Sequence, residues 1–130
     1  MLKTEVLRGP RARVLLMDTI TKVAAEDAGS IVIAASHGGA SSGEFALAVP
    51  LLAVFFNDAG VGKQRSGIAA LAMLQARNVA AGAVSHESAC IGDAADMWEH
   101  GVISHLNAAA LALGFREGAL LRGAVASLVG

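Results

Sequence analysis

The chain has 130 residues, a net charge of −1, four histidines, one cysteine and no tyrosine, and 55% of it is hydrophobic against 16% charged. That length suits one domain that buries about two thirds of its unfolded surface without staples, and the lone Cys90 excludes an internal disulfide and fits a reducing cytoplasm. Acids and bases are interspersed with no basic stripe, which excludes nucleic acid as a partner.

The longest apolar run, Ala46 to Phe56, contains Pro50 and is far short of the roughly 20 residues a membrane span needs. The first residues carry Lys3, Glu5, Arg8, Arg11 and Arg13, with no apolar core for a signal peptide. A soluble cytoplasmic protein is therefore expected, with no membrane partner. So apolar a small chain has surface to hide, which predicts a homo-oligomer.

In chain order, Arg13–Met17 (RVLLM) is a possible first strand. Asp18 or Thr19 can cap a helix running to Asp27, with Ile20, Val23 and Ala24 on one face and Gly29 ending it. Ile31–Ala35 (IVIAA) is a continuous apolar run, as a strand covered on both faces should be. A short helix from Ser42 to Val49 stops before Pro50, and Leu51–Phe56 (LLAVFF) is the next buried strand. Ser66 can cap a helix to Arg77, whose Ile68, Leu71, Ala72 and Gln75 follow a helical row and whose Asn78 suits a left-handed stop. Ala69, Ala70, Met73 and Ala76 make that helix apolar nearly all round, so a second subunit or the C-terminal segment should cover its outer side. Val79–Val84 is a third strand; Asp93–Glu99 and Ile103–Leu113 read as helices, Gly114 closes the latter, and Ala119–Val129 is a helix or an edge strand. Strands alternating with helices over 1–130 predict a single α/β domain: three layers, doubly wound, with a mostly parallel sheet and flanking helices.

The stretch from Thr19 to Phe56 reads TKVAAEDAG, IVIAAS, HGGASSG, EFALAV, Pro50 and LLAVFF. It resembles the C-terminal α/β domain of pyruvate kinases, with its Ala-rich helix, apolar strand, Ser/Gly loop, short helix, proline and second apolar strand. The tail from Asp93 to Gly118 loosely resembles that family's closing helices. The resemblance implies the family's sheet architecture and an effector-phosphate loop on Ser36, Gly39, Ser41 and Ser42. The basic residue often found in that loop is missing here.

Ligands of open parallel sheets bind beyond the carboxyl ends of the strands. The three apolar strands run on into Ser36-His37-Gly38-Gly39, Asn57-Asp58-Ala59-Gly60 and Ser85-His86-Glu87-Ser88. His37 and His86 can exchange protons near neutrality, with Asp58 orienting or assisting. The glycines let backbone approach a ligand. The loop NDAGVGKQRSG departs from a phosphate-binding Walker loop at Asn57 and Gln64, but its Gly60 and Gly62 deliver Lys63 to a helix start, which suits a carboxylate or phosphate. Ser36, Gly38, Gly39, Ser41, Ser42, Gly60, Gly62, Lys63 and Ser85 are thus the expected ligand contacts. No spacing of ligands raises a metal site. Cys90 is either a nucleophile with His86 as base or a buried inert thiol. Ser104 and His105 sit in a helical pattern and read as scaffold, and Trp98 as a packing residue.

The pattern predicts an enzyme performing hydrolysis or elimination on a small carboxylate- or phosphate-bearing metabolite, without a cofactor, since no dinucleotide fingerprint opens a helix. Two other classes fit: a non-catalytic small-anion-binding or regulatory module, and a structural subunit of an oligomer. Ser36, His37, Asp58, Lys63 and His86 are expected to converge on one cavity.

Overall fold

The structure, a computed structural model, describes residues 2–130. Six strands form one sheet in consecutive order: β1 (Lys3–Arg8), β2 (Arg13–Met17), β3 (Ile31–His37), β4 (Ala53–Asn57), β5 (Ala80–Val84) and β6 (Ile103–Leu106). Strands β2 to β5 are mutually parallel, and both edge strands run antiparallel to their neighbours. Ile31, Val32, Ile33, Val54 and Phe55, the expected centre of the sheet, are all 0% exposed. Their continuous apolarity follows from burial on both faces.

Alternate residues separate the two faces. Val32, Val54 and Phe56 meet Ile20, Ala46 and Leu74 on one side. Ile31, Ile33 and Phe55 meet Met97, Phe115, Leu121 and Val125 on the other. The first face is covered by α1 (Ala40–Leu47) and α2 (Ala69–Gln75), the crossovers between parallel strands. The second is covered by the C-terminal elements, including α3 (Ala94–His100) and α5 (Leu121–Val129). Three layers are therefore present, but the strand order never reverses. The doubly wound expectation is corrected on that point: the second layer comes from the tail of the chain, not from crossovers wound the other way.

Several elements differ from expectation for local reasons. The segment 18–27 forms two 3-10 turns, Ile20–Lys22 and Ala25–Asp27, instead of one helix. The buried Asp27 carboxylate fixes that irregular path by accepting the Ala24 N–H at 2.8 Å and pairing with Lys3 at 2.9 Å. Ser66 caps nothing, because it lies inside a 3-10 stretch, Lys63–Ile68, that leads into α2. The outer side of α2 packs on α1, where Gly43 lets the helices approach so closely that an added Cβ would stand 2.8 Å from the Met73 sulfur. The C-terminal segment also reaches this helix, where the Ala109 N–H donates to Gln75 Oε1 at 2.8 Å and the Asn107 amide to the Leu71 carbonyl at 3.2 Å, while Ala76 stays exposed. Residues 103–113 split into β6, Asn107 and α4 (Ala108–Ala112). Pairing of Ala83 with His105 draws that segment into the sheet, overriding its weak helical pattern.

Gly82 makes room in the sheet for the Phe55 ring. Phe55 lies beside it in register, and the Phe55 ring meets Phe115 edge-to-face at 5.0 Å. A Cβ on Gly82 would fall 2.7 Å from Phe55 Cε1, 2.8 Å from Leu106 Cδ2 and 2.9 Å from the His105 carbonyl oxygen. Gly82→Ala is expected to destabilise the fold by about 1–3 kcal/mol, the cost of overpacking a filled core. A urea midpoint unchanged from wild type would refute that packing.

Candidate functional site

The four parallel strands end on one edge, which brings together the residues that follow them. β6 is antiparallel and so begins at that same edge, adding Ser104. Asn57 closes β4 as a fully buried structural residue: its amide donates to the Ala89 carbonyl at 2.9 Å, and its oxygen accepts from Ala59 N–H at 2.8 Å. The next residue, Asp58, is 4% exposed yet amply bonded. Its Oδ1 accepts from Gly60 N–H at 2.8 Å and His86 N–H at 3.1 Å, and lies 3.2 Å from His86 Nδ1. Its Oδ2 accepts from Ser104 Oγ–H at 2.7 Å. Burial by itself would push the Asp58 carboxyl up, but the bonds from Ser104, Gly60 and His86 outweigh it and hold the carboxyl below its ordinary range.

An ionised carboxylate only accepts, so His86 Nδ1 carries the ring proton and Nε2 keeps its lone pair. The His86 side chain is 51% exposed while Asp58 is shut in, so a buried acid orients a solvent-facing imidazole. His37 has the opposite tautomer. Its Nδ1 accepts from Gly39 N–H at 3.1 Å, which leaves the proton on Nε2. A Cβ on Gly39 would lie 2.6 Å from His37 Cε1, so that glycine sets the ring's position. His37 pairs in register with Asn57, and Asn57 with Val84. At the backbone His37 therefore stands two strands, about 10 Å, from Val84, and His86 follows in the turn two residues beyond the end of β5.

The loop after Asp58 is strained. Ala59, Gly60, Val61, Gly62 and Arg65 have φ of 51°, 77°, 66°, 76° and 59°. For Val61 this is a true outlier, since a β-branched side chain crowds the backbone there. The loop is held by Val61 N–H on Asp58 O at 2.6 Å and Gly67 N–H on Val61 O at 2.5 Å. Such strain gathers at ligand clamps and active sites. Lys63 stands exposed on this loop and makes no ion pair among the described residues.

The expected site residues thus fall into two groups. Ser36, His37, Ser41 and Ser42 line a crevice of about 350 Å³ together with Thr19 and Phe45. Asp58, Lys63 and His86 are not among its lining residues. Within the crevice Ser36 Oγ accepts from Ile20 N–H at 2.9 Å and Ser42 Oγ donates to the His37 carbonyl at 2.7 Å. Gly38 is pressed against the Gly67 carbonyl, and its own carbonyl accepts from Ala70 N–H at 2.8 Å. Ser85 accepts from Glu87 N–H at 3.1 Å, closing the turn that carries His86.

Cys90 corrects the buried reading offered for it. It is exposed, and the Asp96 carboxylate beside it pushes its thiol up, so a ready thiolate is disfavoured. Trp98 is a buried packing residue with the Arg122 guanidinium 5.6 Å over its ring. Among the described residues no three His, Cys, Asp or Glu side chains are grouped as a metal site.

Sequence reasoning missed Ser104 and His105 as site residues. Ala83 pairs with His105 and Val84 with Ile103, so Ser104 is the extra residue of a bulge. Bulges re-aim side chains beside active sites, and this one accompanies the turn of Ser104 onto Asp58. His105 Nδ1 lies 3.0 Å from Ser104 Oγ. The one hint in the sequence, the β-branched pair Val102–Ile103, stands where a strand of only four residues begins at Ile103, too short to outweigh a helical pattern. No family model, no curated protein and no solved structure matches this chain.

Proposed function

We propose that the chain is an enzyme performing hydrolysis or elimination on a small carboxylate- or phosphate-bearing metabolite at the carboxyl edge of its sheet. The observation that carries this reading is the Asp58–His86 contact at 3.2 Å between a shielded carboxylate and a half-exposed imidazole. The free Nε2 of His86 takes a proton, from water in hydrolysis or from a carbon beside the substrate carboxylate in elimination. The imidazolium so formed is stabilised by Asp58. Lys63 and the amides of the glycine-rich loops hold the anion, and the His86 imidazolium passes its Nε2 proton on to the leaving group. Proton transfer of this kind requires no cofactor.

The test is depletion of metabolites from a deproteinised cell extract, followed by mass spectrometry, with wild type and His86→Asn side by side. Wild type should consume at least one small anionic metabolite that His86→Asn leaves intact. Identical profiles for the two proteins would sink the enzymatic reading.

A second reading is a small-anion-binding regulatory module. It is favoured by Ser36, Ser41 and Ser42 meeting in one crevice, on the segment that resembles the pyruvate kinase C-terminal domain. The order β3, Ser/Gly loop, α1, Pro50 and β4 supports a fold of that type, whereas the 3-10 turns in place of its Ala-rich helix depart from it. Inorganic phosphate binding to wild type, lost in Ser41→Ala/Ser42→Ala, with no metabolite consumed, would favour this second reading.

A further inference from the structure

A second cavity, of about 520 Å³, opens between α2 and the corner where β6 turns into α4. That volume suits a small-molecule ligand. Its apolar wall includes Ile68, Leu71 and Ala72, and three titratable side chains line it: Arg65, His105 and Glu117. Arg65 and Glu117 are exposed, and neither makes an ion pair, with the other or elsewhere, among the described residues. Each charge is thus available to a third group. Arg65 also sits at a φ of 59° on the strained loop, a conformation a non-glycine residue rarely adopts.

The protonation of His105 follows from its neighbours. Ser104 has a single hydroxyl hydrogen, and it goes to the Asp58 carboxylate at 2.7 Å. The 3.0 Å contact between Ser104 Oγ and His105 Nδ1 must therefore be donated by the imidazole. His105 Nε2 then keeps a lone pair and can only accept while the ring is neutral. The cavity thus offers one cation, one anion, one neutral acceptor and an apolar wall. A simple carboxylate would leave Glu117 facing a like charge, and a simple amine would do the same to Arg65.

We propose that this cavity binds a small aliphatic α-amino acid as a zwitterion. Its carboxylate pairs with Arg65, its ammonium donates to Glu117 and His105 Nε2, and its side chain lies on Ile68, Leu71 and Ala72. The occupant also reaches the candidate catalytic residue. Hydrogen bonds run from His105 Nδ1–H to Ser104 Oγ, from Ser104 Oγ–H to Asp58 Oδ2, and from His86 Nδ1–H to Asp58 Oδ1. Engaging His105 Nε2 therefore polarises the contact that orients His86. This coupling rests on His86 as the acid–base group; the binding of the amino acid does not.

The experiment is histidine-ring NMR of the full chain, titrated with L-valine, with isovalerate, which lacks the ammonium, and with isobutylamine, which lacks the carboxylate. L-Valine should shift the His105 ring saturably and carry the His86 ring with it. Each singly charged analogue should bind at least roughly tenfold more weakly, the loss of one charge-assisted contact. Arg65→Gln and Glu117→Gln should each weaken L-valine to a similar degree. Ser104→Ala should keep the His105 response and lose that of His86. No saturable His105 shift up to about 50 mM L-valine, or equal binding of the three probes, would overturn the site. A His86 response that survives in Ser104→Ala would overturn the coupling alone. Failure of the enzymatic reading appears separately, in the metabolite depletion assay, where His105 is untouched.

Discussion

Replacing Asp58 by asparagine is expected to cut turnover of the metabolite found by depletion about 10²- to 10⁴-fold, the usual weight of a positioned acid–base group. The amide keeps the carboxylate's shape but offers one acceptor in place of two. If its oxygen takes His86 Nδ1–H, its NH2 meets Ser104, which then loses the Asp58 acceptor and turns its hydrogen towards the Ala83 carbonyl, 3.4 Å away. If the amide flips, His86 loses the partner that fixes its tautomer. Either way the ordered contacts at 3.2 Å and 2.7 Å around Asp58 cannot all survive. A variant that retains full turnover and a wild-type His86 titration would show that the dyad is scaffold.

The same variant predicts a pH dependence of stability. Hydrogen bonds from Ser104, Gly60 and His86 hold the Asp58 carboxyl below its ordinary range despite its burial. A depressed folded-state value stabilises the fold above the unfolded value, about pH 4 for an aspartate, and the contribution disappears as pH falls through the folded value. The melting temperature of wild type should therefore exceed that of Asp58→Asn most at neutral pH. The gap should shrink steadily below about pH 4. A gap of the same size in strong acid would mean that Asp58 is not held ionised by these contacts.

Asn107→Ala is expected to be the most damaging of the structural substitutions. Its Oδ1 accepts from Ala81 N–H at 3.0 Å and Ala110 N–H at 2.9 Å. Its Nδ2 donates to the carbonyls of Leu71 at 3.2 Å and Val79 at 2.9 Å. One buried amide thus uses all four of its bonding positions and ties α2, β5 and α4 to the end of β6. Removing it strands two N–H groups and two carbonyls, each costing about 1–3 kcal/mol where water cannot reach. Partial relaxation leaves an expected loss of roughly 3–5 kcal/mol, or about 10–15 °C in melting temperature for a domain of this size. Thermal unfolding within a degree or two of wild type would refute this account. Because Asn107 also lines the cavity of about 520 Å³, the variant should weaken L-valine binding there as well.

The continuous apolar runs Ile31–Ala35 and Leu51–Phe56 were enough to place the central parallel strands, because only a strand buried on both faces tolerates such a run. The positions of Gly29 and Asn78 also foretold backbone reversals, and both have positive φ, 79° and 57°. That His37, Asp58 and His86 reach one edge of the sheet followed from the strand ends alone. Their division into a hydroxyl-lined crevice and a carboxylate–imidazole pair did not, because it depends on which ring nitrogen meets which neighbour. β1 was invisible because its charged, exposed residues carry no burial pattern; it exists by pairing with β2. Ser104 and His105 were hidden for a related reason. Four residues do not define a strand until β5 offers them a ladder, and only an antiparallel β6 returns its first residues to the edge where Asp58 waits. Periodicity and turn residues are properties of neighbours along the chain, so the sequence by itself determined the layers, the central strands and the candidate histidines. The hydrogen-bond partners of Asp58 and Asn107 lie between 26 and 46 residues away along the chain in their decisive contacts, and only the packed tertiary structure could choose them.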